Sequence, residues 1–127
     1  MDKWQAQQQF WSGCDIPAYD EQTLFREGDE PAYPHITYEA VNGVINQTTT
    51  VSASLWYKSP SWREISQKSD EIQAVLSNGA VIPVDNGYLW LKMPLSIPFA
   101  QRIASGSEND LIKRMMLTVE IEALSAT

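Results

Sequence analysis

Cys14 and His35 are the two side chains here best suited to nucleophilic or acid–base work, and the chain holds one cysteine and one histidine in all. A thiol becomes a useful nucleophile only beside a base or a positive charge that stabilises the thiolate. Cys14 follows Gly13 near the start of the chain, and His35 sits between Pro34 and Ile36 at the opening of an extended stretch. Nothing in that spacing brings them together. The pair reads as a partly buried thiol and a surface imidazole. Glu120 and Glu122 stand two apart in an alternating segment and project from one face. Paired carboxylates can exchange protons or hold a hard cation, but without a third ligand they read as a solvated sheet face. One cysteine is too few for a structural zinc site. No Walker, Rossmann or zinc pattern occurs, and Gly106 stands alone in Ser105-Gly106-Ser107. The expectation is no catalytic set, no metal and no cofactor, hence no enzyme.

The elements that would position these residues are marked by local signals. Asp2 as N-cap and Gly13 as stop predict a helix over 3–12, with Met1, Trp4, Gln8 and Trp11 on the side to be covered. Ile16-Pro17-Ala18-Tyr19 predicts a short edge strand, since proline is tolerated at edges. Leu24 to Pro31 reads as an exposed acidic loop. Alternation predicts strands over 35–41 and 48–58, joined by a hairpin with a long tip starting at Asn42-Gly43. In the second strand Val51, Ala53, Leu55 and Tyr57 form the core side. Ser59-Pro60, or the box Ser61-Trp62-Arg63-Glu64, opens a helix whose covered face is Trp62, Ile65, Ser69, Ile72 and Leu76. Asn78-Gly79 ends it. Strands over 80–84 and 88–93 flank the tip Asp85-Asn86-Gly87. Residues 94–110 read as a loop, and 112–125 as a last strand with Leu117, Val119, Ile121 and Ala123 inward. Hairpins dominate. The fold class is therefore α+β: an antiparallel or mixed sheet of about five strands, with two helices on one face.

Composition bounds the rest. A chain of 127 residues, 43% hydrophobic and 20% charged, suits one soluble domain. Five Trp, five Tyr and three Phe exclude disorder. No apolar run approaches the roughly 20 residues of a membrane span, and Met1-Asp2-Lys3-Trp4 does not open like a signal peptide. A lone cysteine fits a reducing compartment. The net charge of −7 argues against a phosphate-binding surface, though an acidic wall lets DNA pass without sticking.

Several segments together carry a resemblance. They are Ile16-Pro17-Ala18-Tyr19-Asp20-Glu21, Pro34-His35-Ile36-Thr37-Tyr38-Glu39, and Leu55-Trp56-Tyr57-Lys58-Ser59-Pro60-Ser61-Trp62-Arg63-Glu64-Ile65. Gly87-Tyr88-Leu89-Trp90, Pro98-Phe99-Ala100-Gln101-Arg102 and the run from Ile112-Lys113-Arg114 to Glu122 complete them. Over nearly its whole length the chain resembles the tail terminator, or tail-completion, proteins of long-tailed bacteriophages and prophages. Cys14, where a larger apolar residue is expected, and the stretch 24–31 depart from that pattern.

The resemblance implies a neck protein of the virion, made in the bacterial cytoplasm, that forms a ring, usually a hexamer. Its partners would be its own copies, the tail tube protein and head–tail connector proteins, with passing DNA not bound specifically and no membrane. A head–tail connector or adaptor of the same neck is the alternative, and a small intracellular α+β binding domain a more distant one. Candidates for the oligomer or tube interface are Trp4, Trp11, Trp56, Trp90, Phe99 and Arg102, because so many Trp cannot all face one small core. Candidates for the channel wall are Asp20, Glu21, Asp29, Glu30, Glu108 and Asp110. Residues 94–110 are expected to order on assembly, and the tip 42–50 and the loop near Asp29 to lie at ring surfaces.

Overall fold

In a computed structural model of the chain, residues 1–42, 46–104 and 111–125 are described. The elements run α1 (Lys3–Ser12), β1 (Ala18–Asp20), β2 (His35–Tyr38), β3 (Thr48–Lys58), α2 (Arg63–Ser77), β4 (Ala80–Val84), β5 (Gly87–Lys92), β6 (Ala100–Ile103) and β7 (Ile112–Ser125). The sheet order is β1-β2-β3-β7-β5-β4, with β6 also paired to β7. β1 and β2 run parallel and every other pair is antiparallel. The α+β class with a mixed sheet stands, with seven strands where about five were expected.

β7 organises the sheet. β3 pairs with it from Thr48↔Glu122 to Lys58↔Ile112. On its other flank β5 covers residues 120–125 and β6 covers residues 114–117. The expected loop over 94–110 thus contains a strand. β5 is too short to satisfy the flank of a 14-residue strand, and Ala100–Ile103 returns to complete the ladder. The Thr118 amide closes the gap by donating to the Phe99 carbonyl at 2.7 Å.

The register puts Ala18, Ile36, Leu55 and Met115 in one row, and Tyr38, Ala53 and Leu117 in the next. Val51–Val119, Leu91–Ile121 and Leu89–Ala123 extend the same face, and all these residues are buried. With Tyr57, which is buried too, the expected inward sets of β3 and β7 are all in the core. This face is sealed by the helices: α2 lays Ile65, Ser69, Ile72 and Leu76 on it, and Trp11 of α1 stacks on Tyr38. α2 lacks a side-chain cap at Trp62; Ser61 Oγ accepts only from the Arg63 amide, at 3.3 Å. Past its end, Gly79 takes φ +75°, and a Cβ there would meet Trp90 Nε1 at 2.8 Å.

α1 has the expected bounds and a capping box between Asp2 and Gln5. Its buried residues are Ala6, Gln7 and Trp11; Trp4 and Gln8 stay exposed. The covered face is rotated by about one residue because Gln7 is buried with its amide saturated. Nε2 donates to the Val41 and Lys3 carbonyls at 2.8 and 3.0 Å, and Oε1 accepts from the Val41 amide at 3.0 Å. A polar residue with both amide N–H groups and its oxygen hydrogen-bonded can take an inward position that hydrophobicity alone assigns to Trp4.

Candidate functional site

Among the described residues, no helix lies over the opposite face of the sheet. Its centre is polar: Thr50 faces Glu120, Ser52 faces Thr118, and Thr48 faces Glu122. Lys92 sits beside this group, 3.8 Å from Glu122 and over the Trp90 ring at 4.1 Å. The Glu120–Glu122 pair is thus part of an open sheet face. Among the described residues, no three His, Cys, Asp or Glu side chains gather as a metal site would require.

At the β2 side an aromatic row crosses three strands. The rings of Tyr33 and His35 lie 5.0 Å apart, His35 stacks on Trp56 at 6.2 Å, and the Arg114 guanidinium lies 4.9 Å from Trp56. Two hydrogen bonds lock the row: Trp56 Nε1 to Thr37 Oγ1 at 2.9 Å, and Arg114 Nε to Ser54 Oγ at 3.1 Å. His35 was expected at the surface and is 5% exposed. Tyr33 and Tyr19 cover it from segments with no sequence signal for such packing.

Burial holds the His35 pKa below its ordinary 6.5, and a hydrogen bond at 3.1 Å between Nδ1 and the Ala32 carbonyl opposes this. The unfolded chain takes up the imidazole proton near pH 6.5, while the folded chain does so only at lower pH. Stability from this group is therefore present above pH 6.5 and is lost as pH falls through the folded value. With one histidine in the chain, its ring-proton NMR signal should titrate below 6.5, in step with weaker urea resistance at acid pH. A midpoint at or above 6.5 would refute this.

Cys14 lies on the helix side of the sheet, in a groove of about 430 Å³ between α1 and α2 lined by Phe10, Lys68, Ile72, Val75 and Ile82. His35 is on the other side, so the sheet separates them. Burial pushes the Cys14 thiol up to about 11 despite the nearby Lys68 ammonium. Lys68 is itself engaged, donating to the Cys14 carbonyl at 3.0 Å and to Glu71 at 2.7 Å. A protonated thiol bonded to the Phe10 carbonyl at 3.7 Å is no nucleophile at neutral pH.

The interface candidates separate into two groups. Trp11 and Phe99 are buried, at 1% and 7% exposure, and belong to the core. They are not accessible as interface anchors in this fold. Trp56 and Trp90 lie half-buried on the open face, at its two ends. Trp4 is 49% exposed, with its indole N–H on Asn42 Oδ1 at 3.0 Å. Arg102 is exposed and lies over Trp62, 5.1 Å from the ring centre. Of the acidic candidates, Asp20 ends β1, and Glu21, Asp29 and Glu30 lie in the exposed loop beyond it, at the sheet's edge. Glu108 and Asp110 fall outside the described residues, as does Gly43 of the tip.

Sequence reasoning singled out Glu120, Glu122, Trp56 and Trp90 on the open face but did not join them with Thr48, Thr50, Ser52 and Thr118 into one surface. The outward set of each strand was legible from alternation, but which outward sets lie beside one another depends on the strand order. Among the described residues, no helix is long and apolar enough to cross a membrane. Compared with protein-family models, with curated proteins and with solved structures, the chain gives no match.

Proposed function

We propose that this protein is a phage structural protein that caps the head-proximal end of the tail tube as a ring. It ends tube polymerisation and offers the surface on which head and tail join. The observation that carries this reading is a sheet with one face sealed by both helices and, among the described residues, no helix on the other. A subunit of a ring needs faces for its neighbours and one for the opening. Thr48, Thr50, Ser52, Thr118, Glu120 and Glu122 make the middle of the bare face rich in hydroxyls and carboxylates. Turned to the opening, such a face repels phosphates over roughly 8–10 Å at moderate ionic strength. Six copies of a chain at −7 carry −42 formal charges into one annulus. The segment-by-segment resemblance supplies the identity of the partners.

Purified protein mixed with tail tubes should show, by negative-stain microscopy, rings at one tube end, and tube growth from that end should stop. The protein should not retain duplex DNA at physiological salt. Bare tube ends at saturating protein, or salt-dependent binding to duplex DNA, would reject the proposal.

A further inference from the structure

The strand order ends in β1 on one side and in β4 on the other, and α1 lies against both. A strand at the end of a sheet turns every second residue's N–H and C=O outward, where another chain can pair with them. In β1 the residues bonded toward β2 are fixed: the Ile36 amide donates to the Pro17 carbonyl and the Glu21 amide to the Tyr38 carbonyl, both at 2.8 Å. Ala18 and Asp20 therefore face outward. Both of their carbonyls are taken. Gln8 of α1 donates through Nε2 to the Ala18 carbonyl at 3.0 Å, and the Thr23 amide donates to the Asp20 carbonyl at 2.9 Å. Gln8 is steadied by Tyr38, whose hydroxyl donates to its Oε1.

In β4, Val84 and Gly87 close the turn, so Val84, Ile82 and Ala80 bond to β5 while Val81 and Pro83 face outward. Pro83 fits only there, since it has no N–H for the ladder. Val81 is 56% exposed, and among the described residues no backbone group outside the sheet pairs with it. Further along the same side, the Asp85 amide donates to the Met1 carbonyl at 2.8 Å. The α1 segment thus reaches from the end of β4 to the edge of β1.

The two edges match in donors and acceptors. Four antiparallel pairings and one parallel one separate β1 from β4, so both strands run the same way. Laid on β1 of a second copy, β4 makes a parallel pair, as β1 does with β2. With Val81 opposite Tyr19 of that copy, the Val81 N–H meets the Ala18 carbonyl and the Asp20 N–H meets the Val81 carbonyl. Pro83, which lacks a donor, falls opposite the Asp20 carbonyl, which Thr23 already satisfies. What stands in the way is Gln8, whose amide occupies the Ala18 carbonyl.

We infer that α1 is a releasable guard on the sheet edge: docked, it blocks pairing between copies, and once it lifts, β4 of one copy adds to β1 of the next. The helix is suited to lifting. Ten residues are too few to hold a helix in water by themselves. Ala6 and Trp11 are its buried apolar residues, and the rest of its hold comes from the Gln7 and Gln8 amides, whose bonds water can replace. The contact joins unlike edges, so it is head-to-tail, and repetition closes a ring or runs on as a filament. That it closes rests on the ring reading above; the guard does not.

The test uses the full chain, Gln8→Ala, Val81→Pro and the double variant, followed by sedimentation over a range of concentrations. Gln8→Ala removes a bond that holds the guard and frees the Ala18 carbonyl, so it should associate at concentrations roughly tenfold or more below the parent. Val81→Pro removes a donor on the side away from β5, so it should melt like the parent, and in the double variant it should abolish the association. Hydrogen exchange gives a reading that needs no proline: in associated Gln8→Ala the amides of Asp20 and Val81 should gain protection. In the parent, amides 6–12 should open well before those of β3 and β7. Three results would overturn the inference: Gln8→Ala that associates no better than the parent, association without new protection at Asp20 and Val81, or α1 amides as protected as those of β3 and β7. Rings on tube ends made by Val81→Pro would sink this contact and leave the ring itself standing. No rings with any variant, while Gln8→Ala still pairs in solution through Val81, would remove the ring reading and leave the guard.

Discussion

Replacing Trp11 by alanine should destabilise the fold by about 3–5 kcal/mol, the range for removing a buried aromatic from a packed core. Trp11 is wholly enclosed, edge-on to Phe10 at 4.9 Å and stacked at 18° on Tyr38 with 6.2 Å between ring centres. It is the main apolar anchor of a ten-residue helix that is otherwise rich in glutamine. A helix so short does not hold together in water by propensity alone, so losing the anchor should free the whole segment. Thermal melting should fall by roughly 10–20 °C for a domain of this size, with amide protection lost across 3–12. Trp4→Ala, on the exposed side of the same helix, should leave the melt nearly unchanged. A Trp11→Ala variant that melts like the parent but fails to assemble would place Trp11 at an interface between subunits and refute its role as the anchor of α1. The same reasoning applies to Phe99: a loss of assembly in a Phe99→Ala variant reports damage to the core unless its stability is measured alongside.

Gly87→Ala should be comparably damaging for a different reason. An added Cβ would lie 2.0 Å from the Leu124 carbonyl oxygen and 3.2 Å from its carbon. The obstacle is backbone in the central strand, so no side chain can swing aside. Gly87 starts β5 and pairs with Ser125. To admit a methyl group, the β4–β5 hairpin must lift from the end of β7. The cost should be about 3 kcal/mol or more, at or above the upper end for overpacking. The damage should also reach α1, because the hairpin tip is tied to its start: the Met1 amino group lies 2.9 Å from Asp85, and the Asp85 amide donates to the Met1 carbonyl at 2.8 Å. Hydrogen exchange should show early opening at 84–92 and at Leu124. An unchanged melting temperature would mean the strands part there at little cost.

Local signals determined much of this protein from the sequence alone. The bounds of α1 follow from Asp2 and Gly13, whose effects are made within one helical turn. The hairpin over 80–92 follows from Asp85-Asn86-Gly87, and Asn86 takes the left-handed φ of 65° such a turn demands. The inward sets of β3 and β7 follow from a period of two, which needs only one buried face. Spacing alone gave no reason for Cys14 and His35 to meet, and the sheet that lies between them is a feature of the fold.

The tertiary structure decided what depends on distant partners. Ala100–Ile103 is a strand because β5 leaves part of the flank of β7 unpaired, a shortage visible only once those strands are aligned. α1 turns Gln7 inward because the backbone at Val41 is there to receive its amide. His35 is buried because Tyr33 and Tyr19 close over a face that alternation assigns to solvent. The acidic loop from Leu24 to Pro31 was plain in the sequence, yet its place beyond the β1 edge comes from the pairing of β1 with β2 and from the strand order. Caps, turns and alternation act through neighbours within a few residues. Strand order and the burial of polar groups are set by free-energy balances between segments tens of residues apart, and no local pattern records them.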